Sequence, residues 1–227
     1  MLAVTGGKGG TGKTTTTLGL ARAVAAGGDD ALAVDADWDL PDLGAVAGAR
    51  RRVEYPGGEE AAAGSPLDAV RAPYDSGPRV LPAPERPRAH DTESLLRRVR
   101  RGAPSDARVF LDCPAGAGPD AAAPVRVADG ALLVAEPCAA ALRDAATAGA
   151  MARRLGTPVV GAVVTCATAV PPGVADLLGC PIVARIPRVR EPAVESDRLR
   201  SACREAVETL ATTEDGHGGE GAPVRNR

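Results

Sequence analysis

The stretch GGKGGTGKTTTT at residues 6–17 decides the fold of this 227-residue chain, and it holds both of its lysines. Lys and Arg together number 27, so the other 25 basic residues are arginines. Lysine is therefore kept only at Lys8 and Lys13, five residues apart. A lysine ammonium is a compact point charge on a flexible stem, whereas a guanidinium is a broad planar fork. The two lysines predict a crowded anion-binding site.

Residues 7–14 match the pattern G-x-x-x-x-G-K-[ST], directly after an apolar strand candidate and directly before a helix candidate. Glycines let the backbone amides of such a loop turn toward phosphates, and the helix N-terminus adds positive potential. Lys13 is expected to reach the β- and γ-phosphates, and the Thr14 hydroxyl is expected to bind Mg²⁺. The predicted nucleotide-binding residues of this P-loop are Gly7, Lys8, Gly9, Gly10, Thr11, Gly12, Lys13, Thr14 and Thr15.

Short apolar runs that suit buried strands alternate with helical patterns along the chain. The predicted strands are residues 2–5, 31–35, 80–82, 108–112, 131–135, 159–165 and 182–186. The predicted helices are residues 14–26, 92–101, 142–155, 174–178 and 197–210. This alternation predicts an α/β fold with a doubly wound, mostly parallel sheet and helices on both faces. The proline-rich run 50–89 is expected to contain loops and short helices.

The two ends of the chain carry the predictions about domains and location. We expect a P-loop domain over residues 1–211 and a disordered tail over residues 212–227, since the latter are polar and glycine-rich. The tail offers no apolar face that could insert into a membrane, so autonomous membrane binding is not expected. No signal peptide pattern is present, and no apolar run reaches about 18 residues. A soluble, cytoplasmic protein is therefore expected.

The bulk composition disfavours several classes of function. A net charge of −2 gives no overall attraction to nucleic acid, and an aromatic content of 2% is too low for base-stacking platforms. The five cysteines show no C-x-x-C spacing, which disfavours a zinc site or a disulfide framework. They are predicted to be small buried hydrophobes, namely Cys113, Cys138, Cys166, Cys180 and Cys203.

The form K-G-G-x-G-K-T that begins at Lys8 resembles the deviant Walker A motif of the MinD/ParA family of ATPases. VDADWDLPDL at residues 34–43 resembles the second strand and first switch of that family, and LDCPAG at 111–116 resembles its Walker B strand and second switch. ALLVAEP at residues 131–137 is similar to the strand that MinD-like members end with T-x-P. The resemblance covers roughly residues 1–210 and is closer to the MinD branch, for which PDL and PAG are more typical.

This resemblance implies a role for Lys8 and a mode of association. In the family, two subunits close face to face over two ATP molecules, and the first loop lysine of each reaches the phosphates held by its partner. A cation supplied across an interface in this way is worth roughly 10³ to 10⁵ in rate in other nucleotide hydrolases. The resemblance therefore implies that Lys8 and Lys13 are catalytic, that ATP and Mg²⁺ are the cofactors, and that ATP joins a homodimer.

Three carboxylates that follow or end apolar strands are predicted to serve the metal and the attacking water. Asp112 ends its strand, and a buried carboxylate there makes sense only opposite a cation, so we expect it to bind Mg²⁺ through water. Asp35 ends another strand and is expected to face the same metal. Asp37 lies two residues further on, where it would orient the attacking water, as the second aspartate does in the family. Asp39 is the alternative for that role.

The nucleoside end of the site is less regular. Thr165 and Cys166 stand where relatives usually carry Asn or Arg-bearing residues near the base, which leaves the base selectivity open. Residues 186–188 resemble the loop that covers the base, so Thr165 and Pro187 complete the predicted nucleotide-binding set. Trp38, the only tryptophan, lies within the first switch and is expected to be exposed without ligand.

Three functions are compatible with these patterns. The leading one is a MinD-like switch that hydrolyses ATP slowly and recruits a protein partner for positioning, cell division or assembly. The second is a ParA-type partition ATPase that binds DNA nonspecifically through arginines at residues 97–101 and 50–52. The third is a ligase or synthetase, or an iron–sulfur carrier, on the same ATPase core. No paired cysteine motif or second catalytic constellation favours the third, and DNA is not favoured as a partner.

Overall fold

A computed structural model describes residues 1–55, 65–73 and 77–217. Its strands are β1 (Leu2–Thr5), β2 (Ala31–Asp35), β3 (Arg52–Val53), β4 (Arg79–Leu81), β5 (Ala83–Pro84), β6 (Arg108–Asp112), β7 (Gly130–Ala135), β8 (Val159–Thr165) and β9 (Ile182–Ile186). Seven of these form a parallel sheet in the order β4-β2-β6-β1-β7-β8-β9. The predicted parallel α/β sheet is confirmed. Strand β4 lies one residue earlier than predicted, and β7 begins one residue earlier.

Helices cover both faces of this sheet. They are α1 (Lys13–Ala26), α2 (Leu43–Val46), α3 (Thr92–Gly102), α4 (Pro119–Val127), α5 (Ala139–Arg154), α6 (Val174–Leu178) and α7 (Asp197–His217). One core cluster joins α1 and α7 to the sheet through residues such as Leu18, Leu20 and Leu199. A second cluster, which includes Leu96 and Val125, joins α3 and α4 to the opposite face. The doubly wound arrangement follows from these two cores.

The central strands are apolar throughout because they are buried on both faces. Every residue of β2 and of β7 is buried. A strand covered by helices on both sides has no solvent-facing row, so polar alternation is lost. This explains why short apolar runs predicted the strands well.

Helix α4 and the run 50–89 differ from the prediction. Helix α4 was not predicted, since Pro124 in its middle is typical of a helix break, although it lies within this nine-residue helix. The run 50–89 contains not only short 3₁₀ helices but also β3 and β5, which form a separate two-stranded parallel sheet. Parts of that run, 56–64 and 74–76, lie outside the described residues.

The last helix extends further than the sequence indicates. Helix α7 continues to His217, seven residues beyond the predicted end at Leu210, so residues 212–217 of the predicted tail are helical. The rest of that predicted tail, residues 218–227, lies outside the described residues. Within the described ranges, no helix combines the length and the apolar character that crossing a membrane requires.

The sheet order places the glycine-rich loop at a change of direction. The strands β6 and β2 lie on one side of β1, and β7 and β8 lie on the other. Ligands of open parallel sheets bind at the carboxyl ends of the strands where the order reverses in this way. The loop that follows β1 is therefore at the expected position for a ligand site.

Close packing against α5 fixes the start of this loop. A Cβ atom added to Gly7 would lie 2.1 Å from the main-chain carbon of Asp144 on α5. The same addition at Gly9 would meet no atom within 4 Å. Gly7 is thus required by a close approach, whereas Gly9 is open.

The variant Gly7→Ala should lower the free energy of unfolding by about 1–3 kcal/mol, because the added methyl group forces the loop and α5 apart. Gly9→Ala is the matched control and should change it by less than about 0.5 kcal/mol. Urea unfolding of the two purified variants measures both values. Equal midpoints for the two variants would show that the loop does not press on α5.

Candidate nucleotide-binding site

The loop between β1 and α1 turns through two glycines in the left-handed region. Gly10 has a φ of 78° and Gly12 a φ of 87°, values that side-chain-bearing residues rarely adopt. Gly12 also caps the N-terminus of α1, whose first turn carries no acidic residue. The partial positive charge of this helix end is therefore not neutralised by its own side chains and can attract an anion.

The two lysines of the loop lie in different environments. Lys13 is buried, and its Nζ donates to the Lys8 main-chain oxygen at 3.1 Å. The Thr11 hydroxyl donates to the same oxygen at 3.3 Å. The side chain of Lys8 is exposed. One cation thus lies inside the loop and the other at its outer surface.

Two buried carboxylates lie side by side below the loop. Asp35 at the end of β2 and Asp112 at the end of β6 are register partners in the sheet, and each is 1% exposed. The two oxygens of Asp35 accept from the main-chain N–H groups of Asp37 and Leu43, at 3.2 and 3.1 Å. Oδ1 of Asp112 lies 3.4 Å from the Thr17 hydroxyl. Its Oδ2 has no hydrogen-bond partner among the described residues.

Burial sets the pKa values of this pair. It raises the pKa of Asp35 to about 9, and the nearby Asp112 carboxylate adds to that shift. Burial also raises the pKa of Asp112 to about 7, although a hydrogen bond from the Thr14 side chain and the charge of Lys13 oppose the increase. Such shifts are typical of carboxylates that lack a neighbouring cation of sufficient charge.

The residues present fit a divalent cation. Mg²⁺ prefers oxygen ligands and commonly binds one or two carboxylates together with substrate phosphates. The unpartnered Oδ2 of Asp112, the Asp35 carboxyl beside it and the Thr14 hydroxyl provide oxygens of this kind.

Asp37 and Asp39 in the first switch differ in burial, since Asp37 is half-buried and Asp39 is exposed. Oδ1 of Asp37 accepts from the Leu40 N–H at 3.2 Å. Burial raises the pKa of Asp37, and that N–H and the Lys13 charge lower it. The partial burial of Asp37 and the Lys13 charge that acts on it favour Asp37 over the exposed Asp39 for contact with a bound phosphate chain.

The second switch is tied directly to the loop. The Gly116 N–H donates to the Gly6 main-chain oxygen at 3.1 Å, and the Cys113 N–H donates to the Val4 oxygen at 3.1 Å. Gly116 has a φ of 95°, which explains why glycine follows PA in LDCPAG. Because of the Gly116–Gly6 hydrogen bond, a displacement of the second switch would also displace the start of the loop.

A cavity of about 310 Å³ lies on the other side of the loop, against the ends of β7, β8 and β9. Predicted nucleotide-binding residues that line it are Gly10, Thr11, Gly12, Thr15, Thr165 and Pro187. The hydroxyl of Thr165 donates to the Thr11 main-chain oxygen at 2.8 Å, so β8 is fixed to the loop. The other predicted residues of the loop do not line this cavity, namely Gly7, Lys8, Gly9, Lys13 and Thr14.

Several residues that line this cavity were not predicted, among them Thr16 and Glu136, whereas Cys166 and Arg188 were predicted to lie near the base without a binding role. The Thr16 hydroxyl is buried and has no hydrogen-bond partner within the described ranges. Glu136 follows β7 directly, so the rule that ligands lie at the carboxyl ends of strands could have identified it. Cys166 and Cys138 are exposed, which corrects the prediction that all five cysteines are buried.

The expected exposure of Trp38 is wrong. Its side chain is 7% exposed and packs in a core cluster with Val53, Tyr55 and Leu81. The indole Nε1 donates to the Asp35 main-chain oxygen at 3.1 Å. The small sheet of β3 and β5 covers the first switch, and this long-range contact was not visible in the sequence around Trp38.

Comparison with known proteins places the chain in a family. Residues 2–189 match the family described as the CobQ/CobB/MinD/ParA nucleotide binding domain. An uncharacterized ATP-binding protein of Methanocaldococcus jannaschii is 31% identical over 178 residues, which are 72% of this chain and 62% of that protein. The septum site-determining protein MinD of Synechocystis is 32% identical over 150 residues, 64% of this chain and 56% of that one. The chain thus spans less than two thirds of these curated relatives.

Solved structures agree with this assignment. The cell division ATPase MinD of Pyrococcus furiosus is 26% identical with a TM-score of 0.79, and the match covers 93% of this chain and 98% of that one. The septum site-determining protein MinD of Pyrococcus horikoshii, solved with Mg-ADP, is 25% identical with a TM-score of 0.80, covering 98% of each chain. The glycine-rich loop, the parallel sheet and these matches together show that the chain belongs to the CobQ/CobB/MinD/ParA family of P-loop nucleotide-binding domains.

Proposed function

We propose that the protein is a MinD-like switch: it binds ATP and Mg²⁺, forms a homodimer in that state, hydrolyses ATP slowly and recruits a protein partner for positioning, cell division or assembly. The observation that carries this proposal is the separation of the two loop lysines. Lys13 is buried against its own loop, whereas Lys8 is exposed at the outer surface of the loop. An exposed loop lysine in a chain that uses arginine elsewhere suits contact with a nucleotide held by a second copy.

The phosphate side of the site has a defined role for each residue. Backbone amides of residues 7–15 bind the phosphates, and Lys13 contacts the β- and γ-phosphates. Thr14, Asp35 and Asp112 would hold Mg²⁺, which would neutralise charge at the phosphate oxygens. Asp37 orients the attacking water, a role that suits its half-buried carboxylate two residues after the end of β2. Lys8 adds positive charge at the partner's phosphates.

The nucleoside occupies the cavity lined by Thr165 and Pro187. The cavity volume of about 310 Å³ falls at the lower end of the range for small-ligand pockets. The ATP-binding relative and the Mg-ADP complex of the Pyrococcus horikoshii protein support an adenine nucleotide.

A ParA-type function with nonspecific DNA binding has less support from the surface charges. Of the arginines that suggested it, Arg97 pairs with Glu93 at 2.6 Å. Arg52 is half-buried and donates to main-chain carbonyls. Arginines engaged in this way offer fewer charges to phosphates. Salt-dependent DNA binding would favour this function, and turnover of a small carboxylic acid with ATP would favour a ligase.

The variant Lys8→Ala should remain monomeric with ATP and Mg²⁺, while the wild type should reach twice the chain mass with ATP and stay monomeric with ADP. The reason is that Lys8 acts across the interface. The Lys8→Ala variant should still bind the nucleotide, because Lys13 and the loop amides remain. Light scattering measures the mass, and Arg154→Ala, which removes an exposed cation from the end of α5, is the control. A Lys8→Ala protein that dimerises like the wild type would refute the role across the interface.

The variant Asp37→Ala should bind ATP with unchanged affinity but hydrolyse it at least about tenfold more slowly, because it loses water positioning and keeps the phosphate loop. Asp39→Ala removes the neighbouring, exposed carboxylate and should keep the wild-type rate. Phosphate release under saturating ATP gives the rates. If Asp39→Ala were the slow variant, the water-positioning role would belong to Asp39.

The variant Asp112→Asn should stabilise the nucleotide-free protein at pH 8 by more than about 1 kcal/mol, because it removes a buried charge. The pKa of Asp112 is raised from 3.8 to about 7, so its contribution to stability is lost as the pH rises through this window. The same variant should lose most of the Mg²⁺-dependent ATP affinity. Urea unfolding at pH 5 and pH 8 and ATP titration test both, with the exposed Asp106→Asn as control. Lower stability at pH 8 with unchanged ATP affinity would show that Asp112 is only structural.

A further inference from the structure

Arg52 connects the first switch to the small sheet. It lies half-buried on β3, where its Nη2 donates to the Trp38 main-chain oxygen at 2.6 Å. Its Nη1 donates to the main-chain oxygen of Pro84 on β5 at 2.9 Å. A single guanidinium therefore joins the switch segment, defined here as residues 35–43, to both strands of that sheet.

The switch segment is fixed immediately next to Asp37. The buried indole of Trp38 donates back to the Asp35 main-chain oxygen, and the Trp38 carbonyl accepts from Arg52. Asp37 lies between these two anchor points in the sequence, and its Oδ1 accepts a hydrogen bond from the Leu40 N–H. The position of the Asp37 carboxylate thus depends on where the Trp38 peptide is held.

The chemistry of arginine suits this task. The guanidinium is a rigid planar fork, and here it reaches two carbonyls on separate segments at fixed angles. A lysine in its place has one ammonium group and cannot reproduce the fork. The neighbouring Arg51 behaves differently, since it is exposed and pairs with Asp42.

We infer that Arg52 is a positioning residue for ATP hydrolysis: by holding the Trp38 carbonyl, it keeps the Asp37 carboxylate where it orients the attacking water. This inference rests on the proposed function, in which Asp37 has that role. Arg52 lines neither the phosphate-binding loop nor the nucleoside cavity, so it acts through the switch segment. A displacement of about 1 Å at a reacting group can cost about a hundredfold in rate.

The test compares Arg52→Ala and Arg52→Lys with the control Arg79→Ala. Arg79 is also partly buried, but it pairs with Asp30 at the opposite end of β2. Arg52→Ala should lower kcat by about tenfold or more and change KM for ATP by less than about twofold, since only the placement of Asp37 is lost. The kcat of Arg52→Lys should lie between those of Arg52→Ala and the wild type. Arg79→Ala should keep the wild-type kcat and KM for ATP.

Trp38 provides a second readout that does not depend on activity. As the only tryptophan, it reports the switch segment alone. Without nucleotide, acrylamide should quench its fluorescence more strongly in Arg52→Ala than in the wild type or in Arg79→Ala. Equal quenching together with a wild-type kcat would overturn the inference. If Arg52→Ala does not fold, Arg52→Lys carries the test, and a wild-type kcat for it would overturn the inference as well.

Combination with Asp37→Ala separates this inference from the proposed function. Residues that act through one another are not additive, so adding Arg52→Ala to Asp37→Ala should not slow hydrolysis further. If Asp37→Ala alone hydrolyses ATP at the wild-type rate, the proposed role of Asp37 fails, and the inference about Arg52 fails with it. If Asp37→Ala is slow and Arg52→Ala is not, the proposed function stands and only the inference about Arg52 is wrong.

Discussion

Two buried carboxylates side by side are the constraint on which the rest of the site depends. Asp35 and Asp112 are register partners at the ends of neighbouring parallel strands, and both are almost fully removed from water. Transfer of a carboxylate into such an environment is costly unless a cation lies nearby. The charge of Lys13 opposes the shift at Asp112, yet the pKa of each carboxyl is raised, to about 9 for Asp35 and about 7 for Asp112. Without a metal the fold therefore favours the protonated form of Asp35, and a bound divalent cation can stabilise both groups as carboxylates.

The surrounding elements follow from this arrangement. Strands β2, β6 and β1 are adjacent, so their carboxyl ends bring the two carboxylates next to the glycine-rich loop. The loop supplies inward amides, the N-terminus of α1 and the Lys13 ammonium, all of which suit an anion. Negative groups for a metal and positive groups for phosphates thus meet at one edge of the sheet. A metal–triphosphate complex satisfies both sets, which neither Mg²⁺ nor phosphate does alone.

The sequence predicted the features that depend on local patterns. Apolar strand runs, the glycine spacing and the position of Asp112 at a strand end are all readable within a few residues, and the structure confirms the sheet that they predict. The sequence did not predict features that depend on contacts between residues far apart in the chain. Trp38 is buried because β3 and β5 cover it, and Thr16 and Glu136 share a cavity because α1 and β7 converge there. Helix α4 was missed because Pro124 suggests a break, although it fits within this short helix.

The most direct test of the central claim is the affinity of the wild-type protein for ATP, measured by calorimetry with Mg²⁺ and again with a chelator. The carboxyl pair of Asp35 and Asp112 ionises fully only when a divalent cation lies beside it. Without the metal the pair gives a free triphosphate no favourable contact, and any ionised carboxylate repels it because like charges in a partly desolvated site interact strongly. ATP should therefore bind at least about tenfold more tightly with Mg²⁺, which corresponds to about 1.4 kcal/mol. Equal affinity in the two conditions would show that Asp35 and Asp112 do not face the nucleotide's metal, and it would contradict this account.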